Sequence, residues 1–294
     1  QRRAAGGVTT NVLVVAADPD RVWREAVALG AAGVVAPGDD DAALAALVAS
    51  LDGRVEGCTV SVVGASGGVG ASTLAVALGV SASGRGLASV VLDADPAGAG
   101  VDLVLGSEKA EGLRWPDLAS VDGRLSGESL ADVLPRRDGV ATIAWPAAAT
   151  TVELPGAAGA VWSAATRAFD LVVADVPRPG GTAGSALAAE VLAGSVLTLV
   201  VVGDDLTGLG AARRTLPRVR ERCARLAAVT LARPGGLGDP EIERALEVPV
   251  VARVRPDRRL RAAVDHGRGP GRSRSLRRAA RDVLDLLGLD GARS

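Results

Sequence analysis

The sequence predicts an α/β protein with a doubly wound, mostly parallel sheet. Apolar strand-like segments alternate with helical stretches from residue 57 onward, a glycine-rich turn joins the first of them to a helix, and acidic residues directly follow two others. This alternation is typical of parallel sheets with helices on both faces. The later expected strands lie within SVVLDADP, GVATIAW, DLVVADVP, SVLTLVVVGDD, LAAVTLARP and VPVVARV.

The first of these segments predicts a phosphate-binding turn. VSVVGASGGVGAST, residues 60–73, begins as a buried strand and continues into a helix. Unpaired backbone N–H groups and the helix dipole at such a helix start can hold an anion, and glycines allow the tight turn. The predicted ligand-binding residues are Ser66, Gly67, Gly68, Val69, Gly70, Ala71, Ser72 and Thr73.

This turn resembles the deviant P-loop of the MinD/ParA family, KGGxGK[ST][ST]. Ser66 and Ala71 occupy the positions of the two family lysines, and Lys109 is the only lysine of the chain. The resemblance implies ATP or ADP with Mg²⁺ as ligands, and the absence of both lysines implies that they bind weakly or not at all. We therefore expect a degenerate Walker A loop.

Two further motifs extend the resemblance to this family. VVLDADP resembles the DxD motif, which places Asp93 near Mg²⁺ and makes Asp95 the candidate catalytic residue that positions water. LVVADVP resembles the Walker B strand, with Asp175 holding a magnesium-bound water. The metal ligands implied are Ser72, Asp93 and Asp175. Each acid could instead cap the following loop or helix, and LARP has Ala232 where the family carries an adenine-reading Asn.

The missing lysines favour a pseudo-ATPase used for positioning or scaffolding. One alternative is an active MinD/ParA-like ATPase with an atypical loop. Another is an NAD-binding oxidoreductase, because Gly64, Gly68 and Gly70 also spell GxxxGxG. The second alternative is disfavoured, since the chain contains no tyrosine for the catalytic Tyr and Lys pair of short-chain dehydrogenases.

The chain is expected to have two parts. Residues 1–56 resemble the last two βα units of a response-regulator receiver, with strands in NVLVVAADP and GVVAP and helices in WREAVALGAA and DDDAALAALVASL. Residues 57–294 form the P-loop domain. Because the chain has no methionine, even at position 1, we expect it to be truncated or processed.

The stretch at residues 112–145 resembles actinobacterial septum site-determining proteins, a CpaE/TadZ-like branch of the MinD/ParA family. This resemblance implies a role in septum-site determination or in polar pilus and secretion assembly. It also implies protein partners from those machineries and a homodimer. Trp115 and Leu118 within this stretch are interpreted either as a partner-facing patch or as buried packing.

Composition and the lengths of the apolar runs limit which other kinds of ligand and cellular location are expected. The chain has 294 residues, 48% of them hydrophobic, and a formal net charge of −1, which does not favour specific nucleic-acid binding. We expect a cytoplasmic protein, because no apolar run approaches the length of a membrane span. Near the end, one helical face would contain Leu276, Ala280, Val283, Leu284 and Leu287. That helix either rests on the inner face of the plasma membrane or packs on the sheet.

Overall fold

The computed structural model of the chain describes residues 12–15, 31–35, 57–119, 127–146, 158–180 and 185–289. The chain divides into two compact units, residues 1–55 and 56–294. In the first unit, β1 (Val12–Val15) and β2 (Ala31–Val35) pair in parallel, as strands at the expected positions. The two helices predicted for this unit lie outside the described residues, so its likeness to a receiver stays a prediction.

The second unit contains an eight-stranded sheet in the order β10-β9-β8-β3-β7-β4-β6-β5. Every neighbouring pair in it is parallel except β5 and β6, which pair antiparallel. This confirms the predicted fold class. The strands are β3 (Cys58–Gly64), β4 (Ser89–Asp93), β5 (Arg136–Arg137), β6 (Val140–Ile143), β7 (Leu171–Val176), β8 (Leu197–Gly203), β9 (Leu226–Leu231) and β10 (Val250–Val254).

Helices cover both faces of this sheet. Neighbouring residues of one strand point to opposite faces, so Val62 and Val63 of β3 belong to two separate apolar clusters. The described helices are α1 (Ala71–Ser83), α2 (Val101–Leu105), α3 (Trp115–Ala119), α4 (Gly127–Val133), α5 (Ala158–Ala168), α6 (Ser185–Gly194), α7 (Leu206–Arg220), α8 (Asp239–Leu246), α9 (Arg258–Asp265) and α10 (Arg274–Leu286).

The apolar face of α10 packs against the sheet. Leu276, Ala280, Val283 and Leu284 are buried in the cluster that also contains much of α1, and Leu287 lies partly buried against it. The packing interpretation of this helix is therefore confirmed, and these side chains could meet a membrane only if α10 left the sheet. No helix in the described part of the chain is both long and apolar enough to span a membrane.

The stretch around α3 is also part of the core. Trp115 and Leu118 are 0% and 1% exposed, so the partner-facing interpretation of these two residues is wrong. The ring of Trp115 packs at a tilt of 32° on that of Trp145, with 6.0 Å between the ring centroids. Large apolar side chains are most often buried in this way.

Candidate functional site

The predicted phosphate-binding turn connects β3 to α1 at the carboxyl edge of the sheet. The helix begins at Ala71, so Ala71, Ser72 and Thr73 form its first turn. Gly68 and Gly70 have φ angles of 69° and 91°, a left-handed backbone that side chains rarely adopt. Gly70 occupies the N-cap position and has no side chain, so it supplies no side-chain acceptor to the first N–H groups of the helix.

Several N–H groups of this turn have no partner. Within the described residues, no acceptor meets the backbone N–H of Ser66, Gly67, Gly68 or Gly70. The turn is also open, because Gly67 and Gly68 are exposed and a Cβ at Gly68 or Gly70 would meet no atom within 4 Å. This arrangement can bind an anion through the backbone alone.

Two buried carboxyl groups lie at the same edge of the sheet. Asp93 ends β4 and faces Asp175 of β7 in the strand register, and the two residues are 1% and 7% exposed. The hydroxyl of Ser72 in the loop lies close enough to the carboxyl group of Asp175 to lower its pKa. The structure thus brings together the three metal ligands proposed from the sequence.

Burial and neighbouring negative charge raise the pKa of both acids. Burial raises the pKa of Asp175 to about 6, against a smaller lowering by the Ser72 hydroxyl. Burial also raises the pKa of Asp93 well above its usual range, and the charge of Asp175 adds to the effect. Carboxyl groups in this state gain stability from a nearby cation.

The residues present fit a magnesium ion. Mg²⁺ is commonly held by one or two carboxylates together with phosphate oxygens and waters. Ser72 and Asp175 would hold it, and the ion would offset the charge of the carboxylate and of a bound phosphate. The described residues contain no cluster of three or more His, Cys, Asp or Glu side chains suited to a metal, so such an ion depends on hydroxyl, water or ligand oxygens as well.

Asp93 and Asp95 also have local structural roles. The two carboxylate oxygens of Asp93 accept hydrogen bonds from the N–H groups of Asp95 and Val101, at 3.0 and 3.2 Å. Val101 is the first residue of α2, so Asp93 caps that helix, as the alternative interpretation proposed. Asp95 accepts a hydrogen bond from the N–H of Ala97, at 3.0 Å. The water-positioning role of Asp95 stays a prediction.

One cation near the loop was missed in the sequence. Arg178 follows β7 by two residues, and its Nη2 lies 3.8 Å from the position that a Cβ on Gly67 would occupy. Because β3 and β7 are parallel neighbours, their carboxyl ends meet, and this could have directed attention to the residue after the DxP motif.

The chain is similar in sequence to one group of known proteins and in fold to another. No family model matches the chain. The Mycobacterium tuberculosis H37Rv protein named Uncharacterized protein Rv3660c is 33% identical over 272 residues, which is 90% of this chain and 75% of the relative.

Solved structures show the fold. The ParA family ATPase of Chlorobium tepidum matches with a TM-score of 0.64 at 17% identity, over 78% of this chain and 97% of that one. A chain of the MinC:MinD cell division protein complex of Aquifex aeolicus matches with a TM-score of 0.62 at 17% identity, over 78% of this chain and 96% of that one. The MinD of Pyrococcus horikoshii, complexed with Mg-ADP, matches at 0.58 and 16%, over 80% and 99%. The chain therefore belongs to the family of the Mycobacterium tuberculosis protein Rv3660c, and its second unit has the MinD/ParA P-loop fold.

Proposed function

We propose that this protein is a pseudo-ATPase that positions or scaffolds other proteins. The observation that carries the proposal is the pair Ser66 and Ala71, which replace both family lysines in a loop that otherwise keeps its glycine turn and its unpartnered N–H groups. Such a loop retains the shape of a nucleotide site while lacking the charges that speed phosphoryl transfer.

The energetic effect of this loss is large. A charged hydrogen bond contributes about 1.5–3 kcal/mol, so two missing lysines weaken nucleotide binding by about 100- to 10,000-fold. Positive charge at a transferring phosphoryl group is worth about 1,000- to 100,000-fold in rate. Hydrolysis therefore suffers more than binding, and we expect ATP or ADP to bind weakly while turnover is negligible.

The biological role follows from the resemblance of residues 112–145 to septum site-determining and CpaE/TadZ-like proteins. We propose protein partners from the division machinery or from polar pilus and secretion assembly. In the MinD/ParA family the first loop lysine contacts the nucleotide of the partner subunit, and Ser66 removes this link. A homodimer of this chain would then form without ATP.

An active ATPase with an atypical loop is the second candidate. It is favoured by Arg178, whose guanidinium lies beside Gly67 and could replace part of the missing charge. The oxidoreductase alternative gains no such support, since the chain has no tyrosine to act as the catalytic acid.

Hydrolysis and binding assays on the same purified chain separate these candidates. We expect no magnesium-dependent release of phosphate from ATP above background. In calorimetric titrations, ATP and ADP should bind weakly and NAD should not bind. The double variant Ser66→Lys/Ala71→Lys should bind ATP more tightly, and rapid turnover by the unmodified chain would refute the proposal.

A charge-matched control tests whether any gain is local. Val196 and Leu286 are partly exposed apolar residues, 42% and 46% accessible, and Val196 lies at the opposite edge of the sheet, before β8. Val196→Lys/Leu286→Lys adds the same two charges away from the loop. It should leave nucleotide affinity unchanged.

A further inference from the structure

Among the described residues, the guanidinium of Arg178 has no partner. Its side chain is exposed, and it makes no hydrogen bond or ion pair with any described residue. Nevertheless its Nη2 lies 3.8 Å from the Cβ position of Gly67, at the start of the glycine turn. The guanidinium of Arg178 thus lies beside the backbone N–H groups of the glycine turn, and neither has an acceptor among the described residues.

Helix α7 contacts both the loop and the segment that carries Arg178. From α7, the hydroxyl of Thr215 donates a 3.3 Å hydrogen bond to the carbonyl of Ala65, where the loop begins. One turn further along, Nη1 of Arg218 donates a 3.3 Å hydrogen bond to the carbonyl of Pro179, next to Arg178. The segment that carries Arg178 and the loop are therefore held by the same support, which limits how far they can separate.

The hydrogen-bond donors between the loop and Arg178 all need an acceptor. Ser66, Gly67, Gly68 and Gly70 offer N–H groups, Arg178 offers a guanidinium, and none of them has an acceptor among the described residues. A group with several negatively charged oxygens satisfies all of them together. Guanidinium also matches phosphate geometry well, because its planar fork can donate two parallel hydrogen bonds and never loses its proton.

We propose that Arg178 is the cation of this site and that it binds the phosphate chain of a nucleoside di- or triphosphate together with the loop N–H groups. The proposal rests on the proposed function in that it takes the loop as the nucleotide site. It replaces charge that the family carries within the loop by charge from the turn after β7. The site then retains phosphate affinity, although neither loop lysine is present.

The test is a titration of the full chain with ADP and ATP, with and without Mg²⁺, followed by calorimetry. Removing a charged hydrogen-bond donor by Arg178→Ala should raise the dissociation constant about 10- to 100-fold. Arg178→Lys keeps the charge but loses the fork, so it should give a smaller increase. Inorganic phosphate should compete with ADP on the unmodified chain and compete less well on Arg178→Ala.

Arg222→Ala is the matched control. Arg222 is another exposed arginine, which follows the far end of α7, and its removal should leave both dissociation constants unchanged. Melting temperatures should be the same for all variants, because Arg178 makes no hydrogen bond or ion pair with a described residue. An affinity loss without a change in melting temperature is then a loss of ligand contact.

The outcomes separate this proposal from the proposed function. Equal nucleotide affinity in Arg178→Ala and the unmodified chain overturns the role of Arg178, and so does an absence of nucleotide binding at millimolar concentration. Neither result conflicts with a non-hydrolysing positioning protein. Rapid ATP turnover that Arg178→Ala abolishes has the opposite meaning: it supports the role of Arg178 and overturns the pseudo-ATPase.

Discussion

The indole N–H of Trp115 donates a 2.7 Å hydrogen bond to the main-chain carbonyl of Asp93. Both residues are almost fully buried. This bond ties α3 to the end of β4, next to the acid pair at the candidate site. Trp115, which lies in the stretch that resembles septum site-determining proteins, therefore helps to hold Asp93 in place at the candidate site.

We expect Trp115→Phe to destabilise the protein by about 1–3 kcal/mol, because it leaves a buried carbonyl without its donor. Trp145→Phe is the control, since the Nε1 of Trp145 is buried without a partner among the described residues. That change loses no hydrogen bond and should cost less. The measurement is urea unfolding of both variants, and equal losses would contradict the role of the Trp115 hydrogen bond.

Asp175→Asn should stabilise the protein above pH 6. The pKa of Asp175 is raised to about 6, so the native state binds more protons than the unfolded state between about pH 4 and pH 6. Stability from this group falls as pH rises through that window, and Asn removes the loss. The gain should reach about 3 kcal/mol at pH 8 and shrink near pH 4.

Asp102→Asn provides a comparison of opposite sign. Asp102 is also buried, but its Oδ2 accepts a 3.3 Å ion-pair contact from Nε of Arg114. Neutralising it removes the carboxylate that pairs with the Arg114 guanidinium, so we expect destabilisation at pH 8 where Asp175→Asn stabilises. Chemical unfolding at pH 5 and pH 8 checks both, and a loss of stability in Asp175→Asn at pH 8 would contradict the prediction.

Arg253 is a structural arginine of β10. Its Nη2 contacts Asp204 at 2.5 Å and its Nη1 contacts Asp239 at 2.6 Å. Because the side chain of Asp204 is fully buried, Arg253→Ala should destabilise the protein by about 3–5 kcal/mol. Arg253→Lys should cost less, since it keeps the charge.

Arg261→Ala is the control for Arg253. Its ion pair with Asp265 is exposed on both sides, so thermal unfolding should show no measurable change. A small loss in Arg253→Ala would contradict the prediction and would mean that the N–H of Arg233, which also donates to Asp204, is a sufficient partner for the buried carboxylate.

Val283→Asp should prevent stable folding or cost more than about 3 kcal/mol, because it buries a charge within the core. Val283 is 0% exposed, whereas Arg277 on the same helix is exposed. Arg277→Asp is the control and should unfold like the unmodified chain. Normal stability of Val283→Asp combined with loss of binding to anionic vesicles would instead assign this face of α10 to a membrane.

The sequence predicted the structure best where the pattern of apolar residues and a recognisable motif indicate the same element. The strands and the glycine turn follow from runs of Val and from glycine spacing, and Asp93, Asp175 and Ser72 meet because parallel strands end at one edge. The same argument points to the residue after the DxP motif, but it does not place the guanidinium of Arg178, whose position depends on how the turn after Val176 folds and on the hydrogen bond from Arg218 to the carbonyl of Pro179. The face of α10 was ambiguous for another reason, since one apolar stripe serves a core or a membrane equally well.

Helix α7 contacts both the anion-binding turn and the end of α8. Besides contacting the carbonyls of Ala65 and Pro179, it donates from Arg213 and Arg220 to carbonyls at the end of α8. A displacement of the turn by a bound ligand would therefore reach the end of α8 through the hydrogen bonds that α7 makes to both. A protein docked there would sense the loaded state without touching the ligand, and a slow or absent chemical step would make that signal persistent.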